Sequence, residues 1–263
     1  MTTANLDVLN ALLSQLELKS LPAVIGISGA QGSGKSTLAA LLVAHFAATG
    51  LKAATVSLDD YYLSGAKRAQ LAADVHSLLR QRGVPGTHDI QAAIDDATAV
   101  LAGRPVALPR FDKALDEPTA SLPSQQLDVL VVEGWCVGLQ PQNSQELATA
   151  ISVFESQFDA DGRWRNFVNQ QLGGQYQQYW QLLKPLIWLQ APGWAQVCRW
   201  RAQQEQELIA RTGMGMDQNA LQHFMGSFER LTLAGFSALA QVSDIQLQLN
   251  SAHQVSRISR KPA

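Results

Sequence analysis

Apolar residues along the chain form two kinds of pattern, short uniform runs and longer stretches with helical spacing. A short uniform run is typical of a parallel strand covered on both faces, whereas apolar positions at i, i+3, i+4 and i+7 predict an amphipathic helix. The runs predict strands over 23–28, 53–58, 127–135 and 185–190, and strict alternation predicts a final half-exposed strand over 244–250. Helical spacing predicts helices over 6–18, 35–48, 67–80, 89–102, 144–183, 194–211 and 218–239.

The predicted strands and helices alternate along the chain, which indicates an α/β fold with a doubly wound parallel sheet and helices on both faces. The chain has 263 residues and shows no internal repeat or low-complexity linker, so we expect a single domain over 1–263 with an N-terminal helix inside 1–20. Ligands of such sheets bind beyond the carboxyl ends of the strands. The residues that follow each strand are therefore the first candidates for a functional site.

Composition narrows the possible partners. The formal net charge is -2 and charged residues make up 16% of the chain without a dense basic run, which argues against a nucleic-acid partner. The two cysteines, Cys136 and Cys198, form no CxxC pair, which fits a reducing compartment. The sequence shows neither a signal-peptide pattern nor an apolar stretch of membrane-spanning length, so we expect a cytoplasmic protein without a membrane partner. Its oligomeric state is left open.

The stretch GISGAQGSGKST, residues 26–37, contains the pattern G-x-x-x-x-G-K-[ST] between a predicted strand and a predicted helix. Glycines let successive backbone N–H groups point into one concavity, where they can bind phosphate oxygens next to the positive end of the helix. A flexible glycine turn is the alternative, but the strand before it and the helix after it favour a P-loop. We expect nucleotide contacts from Gly29, Ala30, Gln31, Gly32, Ser33, Gly34, Lys35, Ser36 and Thr37.

Within this P-loop, two side chains have defined roles. Lys35 would reach the β- and γ-phosphates of ATP and take part in catalysis, and the Ser36 hydroxyl would bind Mg²⁺. ATP and Mg²⁺ are therefore the expected cofactors.

Acidic residues follow two of the predicted strands. Asp59, Asp60 and Tyr61 come after the strand over 53–58, and Glu133 comes at the end of the run over 127–135. A carboxylate at the first position could accept the proton of an attacking hydroxyl, and Glu133 could hold Mg²⁺ in the manner of a Walker-B residue. The alternative is that these are ordinary acidic strand ends, where aspartate favours a turn.

Five further motifs extend over most of the chain. In order they read SLDDYY at 57–62, RGVPGTHD at 82–89, PRFDK at 109–113, EGWCVGL at 133–139 and WRAQQE at 200–205. Together with the P-loop, this ordered set resembles the D-glycerate 3-kinase family, a branch of the P-loop small-molecule kinases that includes uridine kinase, phosphoribulokinase and bacterial pantothenate kinase. The resemblance covers about residues 22–235.

The resemblance implies roles for individual residues. It implies that Asp59 is the general base, with Asp60 as the fallback, and that Arg201 belongs to a lid-like helical segment at about 194–216. Glu133 would lie near the metal. The acceptor pocket would be lined by Asp60, Tyr61, Thr87, His88, Asp89, Phe111, Asp112 and Lys113.

Some of these residues have a structural alternative. Thr87 and Asp89 are well placed to cap the helix predicted over 89–102. Arg201 and Glu205 are spaced to form an i,i+4 ion pair on a helix face. Lys113 could neutralise an acidic substrate, although an isolated lysine is more often solvated.

The chain departs from the family pattern after Lys113. Plant-like members carry a glycine- and arginine-bearing stretch there, whereas residues 114–119 read ALDEPT without an arginine. We therefore expect an ATP-dependent kinase of a small hydroxyl-bearing acceptor, with D-glycerate, giving 3-phosphoglycerate, as the main candidate. A nucleoside or pantothenate kinase and a P-loop switch without a small acceptor are the alternatives.

Overall fold

The computed structural model describes residues 3–261, and in the first helix it describes side chains from residue 7 onward. The strands are β1 (Ala23–Gly29), β2 (Ala53–Ser57), β3 (Arg110–Asp112), β4 (Glu117–Thr119), β5 (Val129–Gly134), β6 (Leu186–Gln190), β7 (Ile245–Leu249) and β8 (Val255–Arg260). The helices are α1 (Thr3–Leu13), α2 (Lys35–Ala48), α3 (Gly65–Asp74), α4 (Ile90–Leu101), α5 (Ser144–Leu147), α6 (Val153–Phe158), α7 (Arg163–Gly173), α8 (Gln175–Leu182), α9 (Trp194–Thr212) and α10 (Gln218–Val242). Short 3₁₀ turns cover Leu58–Tyr61 and Ser77–Arg80.

Six strands form one sheet in the order β2-β5-β1-β6-β7-β8. The first five are mutually parallel, which confirms the predicted doubly wound arrangement, whereas β8 pairs with β7 in the antiparallel direction. The strand predicted over 244–250 is present, but it is not the final strand. The run VSRISR of β8 lacks regular alternation, so its pairing could not be predicted from the pattern.

The sheet has a hydrophobic core on each face. On β1, Val24 packs with α4 and α8 on one side, whereas Ile25 packs with α1 and α2 on the other. On β5, Leu130 and Val131 divide between the two faces in the same way. Because successive side chains of a strand point in opposite directions, uniform apolar runs are what a doubly covered sheet requires.

Two predicted helices are interrupted. The segment 67–80 forms α3 and then a separate 3₁₀ turn, because the His76 Nδ1 accepts a hydrogen bond from the Leu78 N–H and starts a new turn. The segment 144–183 forms α5, α6, α7 and α8. Its breaks lie at side-chain caps such as Ser152 and at Gly162, which has a φ of 76°. Caps and left-handed glycines end a helix even where the apolar spacing continues.

At the amino end, α1 ends at Leu13 rather than at residue 18, and its Leu9 and Leu12 are buried against the sheet. The side chain of Leu6, the first residue of the predicted helix, lies outside the described residues. Within residues 3–261, none of the helices has the length and apolar character needed to span a membrane.

The β3–β4 hairpin was not predicted. It is a small separate sheet whose strands are only three residues long. Such strands are too short to produce a periodic pattern. The hairpin matters for function because it carries Phe111, Asp112 and, just beyond β3, Lys113.

Candidate active site

The loop between β1 and α2 has the geometry of a phosphate cradle. Gly32 and Gly34 adopt positive φ angles of 77° and 90°, which only glycine adopts without strain. A Cβ on Gly32 would lie 2.7 Å from the Trp200 Cβ in α9, so the backbone approaches that helix closely. The buried Ser33 hydroxyl has no hydrogen-bond partner among the described residues. The loop therefore has unsatisfied polar groups and an open backbone at the start of α2, as a phosphate site requires.

Lys35 lies at the first position of α2. Its ammonium nitrogen donates a 3.1 Å hydrogen bond to the Ala30 carbonyl, so the side chain folds back over the loop. Burial lowers the pKa of Lys35, and the nearby carboxylates of Glu133 and Asp59 oppose that shift. The lysine thus lies near the phosphate loop, the predicted general base Asp59 and the predicted metal-site residue Glu133.

Ser36 and Glu133 form the candidate metal site. The Ser36 hydroxyl donates a 2.9 Å hydrogen bond to the Glu133 carboxylate, which is 8% exposed at the carboxyl end of β5. A hydroxyl and a carboxylate are hard oxygen ligands of the kind that Mg²⁺ uses. The pair therefore fits the metal that the P-loop implies.

Asp59 faces the same cleft from the 3₁₀ turn after β2. Its carboxylate lies 2.7 Å from the Lys113 ammonium, and the Asp59 side chain is 24% exposed. Burial acts to raise the pKa of Asp59, but Lys113, His88 and Tyr62 outweigh it, so the pKa lies below the usual value. The carboxylate is therefore ionised at neutral pH and able to accept a proton.

The neighbouring Asp60 points into the fold. Its carboxylate accepts a hydrogen bond from the Ser57 N–H, closing a capping box, and pairs with Arg110 at 3.2 Å. It also accepts a hydrogen bond from the Phe111 N–H. Asp60 therefore fastens the β3–β4 hairpin to the end of β2, and it does not line the cleft.

Four other residues that were predicted to contact the acceptor form hydrogen bonds within the fold. The Tyr61 hydroxyl donates to Asp96, and the buried Thr87 hydroxyl donates to the Val84 carbonyl. Asp89 caps α4 by accepting from the Ala92 N–H, which is the capping role that its sequence position allowed. Asp112 accepts from two N–H groups of its own turn. None of the four is among the residues that line the cleft.

His88 and Phe111 form an aromatic group with Tyr62 behind Asp59. Tyr62 stacks on His88 at 4.6 Å between centroids and meets Phe111 edge-on at 5.4 Å. The His88 Nδ1 lies 2.7 Å from the Tyr176 hydroxyl, whereas Nε2 is buried without a partner among the described residues. Burial lowers the pKa of His88 to about 4, although Asp59 opposes the shift. The ring is therefore neutral at pH 7.

Helices α9 and α10 form another wall of the cleft. Arg201 of α9 pairs with Glu205 at 2.6 Å and lies over the Phe224 ring of α10 at 5.7 Å. Glu205 also accepts a hydrogen bond from the Met216 N–H after α9. The Arg201 and Glu205 side chains are 17% and 4% exposed, so this pair is not the solvated helix-face pair considered from sequence. Arg201 also lines the cleft, and its helix packs against the P-loop at Gly32.

The cleft that these elements enclose has a volume of about 440 Å³. Its lining is rich in positive charge although the whole chain is slightly negative. Asp59 and Glu133 are its acidic side chains among the described residues. Its basic side chains are Lys35, Arg82, Lys113, Arg201 and Arg211. An excess of positive charge suits an anionic nucleotide together with an anionic acceptor.

Comparison with known proteins identifies the family. No family model matches the chain. It is 32% identical over 240 residues to an uncharacterised kinase, mug58, of Schizosaccharomyces pombe, a match that covers 84% of this chain and 83% of the relative. The chain belongs to the D-glycerate 3-kinase-like family of P-loop kinases.

Two further members of this P-loop kinase family are informative. The chloroplastic D-glycerate 3-kinase of Arabidopsis thaliana is 27% identical over 221 residues, which cover 79% of this chain but only 46% of the plant protein. The solved structure of a D-glycerate 3-kinase from Cryptococcus neoformans superposes with a TM-score of 0.79 at 23% identity, covering 99% of this chain and all of that chain. The fold is shared, and the protein is a phosphotransferase of the class that uses ATP.

Tyr62 and Arg82 are among the cleft residues of this kinase that were not assigned a role from sequence. Tyr62 ends the SLDDYY motif, and Arg82 opens the RGVPGTHD motif. The local sequence around Tyr62 and Arg82 does not indicate which way their side chains point. Their membership of these two motifs is the one sequence signal that points to a role at the site.

Proposed function

We propose that the protein transfers the γ-phosphoryl group of ATP to a hydroxyl of D-glycerate, giving 3-phosphoglycerate and ADP. The observation that carries this proposal is the position of Asp59. Its ionised carboxylate shares one cleft with the P-loop Lys35 and with the Ser36–Glu133 pair. The names of the plant and fungal relatives support the choice of D-glycerate.

In this proposal Asp59 is the general base. It accepts the proton of the acceptor hydroxyl as that oxygen attacks the γ-phosphorus and the bond to the bridging oxygen of ADP breaks. Lys113 keeps Asp59 ionised in the free enzyme through the 2.7 Å ion pair. Because ionised Asp59 is present at neutral pH, no prior deprotonation is needed.

The charge that develops on the transferred group is met by basic side chains on two walls. Lys35 approaches from the P-loop, and Arg201 approaches from α9. Ser36 and Glu133 would hold Mg²⁺, which neutralises phosphate charge when it is bound. The segment of about 194–216 forms the wall of the cleft that would close as a lid over the nucleotide.

The test is release of ADP from MgATP in the presence of D-glycerate, L-glycerate, uridine, cytidine or pantothenate. We expect strong stimulation by D-glycerate and little by the others. Stimulation by uridine, cytidine or pantothenate, and not by D-glycerate, would identify that compound as the acceptor in place of D-glycerate. A slow rate that no acceptor changes would favour a P-loop switch and contradict the proposal.

A further inference from the structure

Two basic side chains line the cleft beside the β3–β4 hairpin. They are Arg82 and Lys113. Lys113 has 61% of its side chain exposed, and its ammonium is paired with Asp59. A flexible point charge already engaged by the general base is poorly suited to define the position of a second anion. Arg82 is less exposed, and its carboxylate partner is Asp116 rather than the general base.

The Arg82 guanidinium is held in a defined orientation. It lies over the Phe111 ring at 5.5 Å, pairs with the Asp116 carboxylate, and donates from Nη2 to the Lys113 carbonyl at 3.2 Å. Its side chain is 28% exposed. A guanidinium has five N–H donors, and among the described residues only these two hydrogen bonds use them. Donors therefore remain for a ligand in the cleft.

A buried arginine supports this arrangement from behind. Arg68 is 2% exposed and donates to the Leu63 and Arg80 carbonyls and to both the carbonyl and the carboxylate of Asp116. Asp116 has a φ of 59°, a left-handed conformation that is uncommon outside glycine. Arg68 thus holds Asp116 in the conformation in which its second carboxylate oxygen faces Arg82.

We propose that Arg82 binds the carboxylate of the acceptor and makes the enzyme prefer an acid over a neutral polyol, with Asp116 and Arg68 as positioning residues. This inference rests on the proposed function. A planar guanidinium matches the two oxygens of a carboxylate, and a fixed plane imposes an orientation on the bound acid.

The experiment compares D-glycerate with its primary amide, which keeps both hydroxyls and loses the negative charge. We expect Arg82→Gln to lower kcat/KM for D-glycerate by about 100-fold, the range of a charged hydrogen bond, and to leave kcat/KM for the amide nearly unchanged. Arg82→Lys keeps the positive charge but lacks the planar guanidinium. It should lower kcat/KM by an intermediate factor for D-glycerate and leave kcat/KM for the amide nearly unchanged.

Arg110→Gln is the matched control. Arg110 precedes Phe111, whose ring lies under Arg82, and it also pairs with an aspartate, Asp60, but it does not line the cleft. Its substitution should leave the ratio of the two kcat/KM values at the wild-type level. Equal losses for the acid and the amide in both Arg82 variants would mean a purely structural role and would overturn the assignment. A wild-type enzyme that turns over neither compound overturns the proposed function and the assignment with it.

Discussion

The Lys113 ammonium lies 2.7 Å from the Asp59 carboxylate, although 54 residues separate them in the sequence. The contact brings the turn after β2 together with the β3–β4 hairpin at the mouth of the cleft. It also distinguishes two adjacent acids, since Asp60 pairs with Arg110 at the other end of β3. The first prediction tests this difference.

Asp59→Asn should remove catalysis and leave nucleotide binding intact. Loss of a general base lowers kcat by roughly 10²- to 10⁴-fold, whereas the P-loop contacts do not involve this side chain. The measurements are kcat with D-glycerate and the dissociation constant for ATP. A variant that turns over at the wild-type rate would remove Asp59 from its proposed role.

Asp60→Asn is the comparison for this variant. It replaces one acceptor oxygen of the capping box and the Arg110 pair by an amide, so we expect the free energy of unfolding to fall by about 1–2 kcal/mol. Catalysis should largely persist. Chemical denaturation and steady-state kinetics on both variants are the measurements. If Asp60 were the base, Asp60→Asn would lose catalysis and Asp59→Asn would largely keep it.

Glu133→Gln should raise the requirement for Mg²⁺. The amide can still accept the hydrogen bond of Ser36, so the fold should persist, but a neutral group binds the cation less well. We expect the free Mg²⁺ concentration for half-maximal rate to rise by about 10-fold or more. Glu207→Gln on the exposed face of α9 is the control. An unchanged requirement in the Glu133 variant would exclude Glu133 from the metal site, and chelation of Mg²⁺ should abolish turnover of the wild type.

Arg201→Ala should slow phosphoryl transfer far more than Arg199→Ala. Arg201 lines the cleft, whereas Arg199 bonds to Gln196 on its own helix and does not line it. An arginine that stabilises the transferring group contributes about 10³-fold or more to kcat. Single-turnover rates at saturating ATP and D-glycerate are the measurement. Comparable rates for the two variants would mean that Arg201 does not act on the transferred group, and that its role is limited to the ion pair with Glu205.

The buried His88 should make the protein less stable in mild acid. Its pKa is about 4 in the folded state, against about 6.5 in the unfolded chain. As the pH falls below 6.5, the unfolded state gains a proton that the folded state does not bind, so stability is lost between pH 6.5 and 4. The loss from His88 is roughly 2 kcal/mol between pH 7.5 and 5.

Urea unfolding of the wild type and His88→Gln at these two pH values measures this effect. The variant lacks the titrating ring, so its stability should fall less between pH 7.5 and 5. Identical losses in both proteins would contradict the assignment of this pH dependence to His88.

The sequence by itself determined the features that depend on neighbouring residues. The P-loop follows from one contiguous motif, and α2, α4, α9 and the parallel strands follow from spacing that each segment carries within itself. The capping role of Asp89 was also accessible, because a cap acts on N–H groups only three residues away.

The tertiary structure decided which of the neighbouring candidate side chains face the cleft. Nothing local in Asp59-Asp60 indicates that Asp59 faces the cleft, because Arg110, 50 residues further along the chain, binds Asp60. The same holds for Arg82, whose orientation depends on Asp116 and through it on Arg68. Periodicity reports burial along one element. Side-chain direction at a site depends instead on partners from distant elements, whose contacts form only when the sheet and the hairpin are assembled.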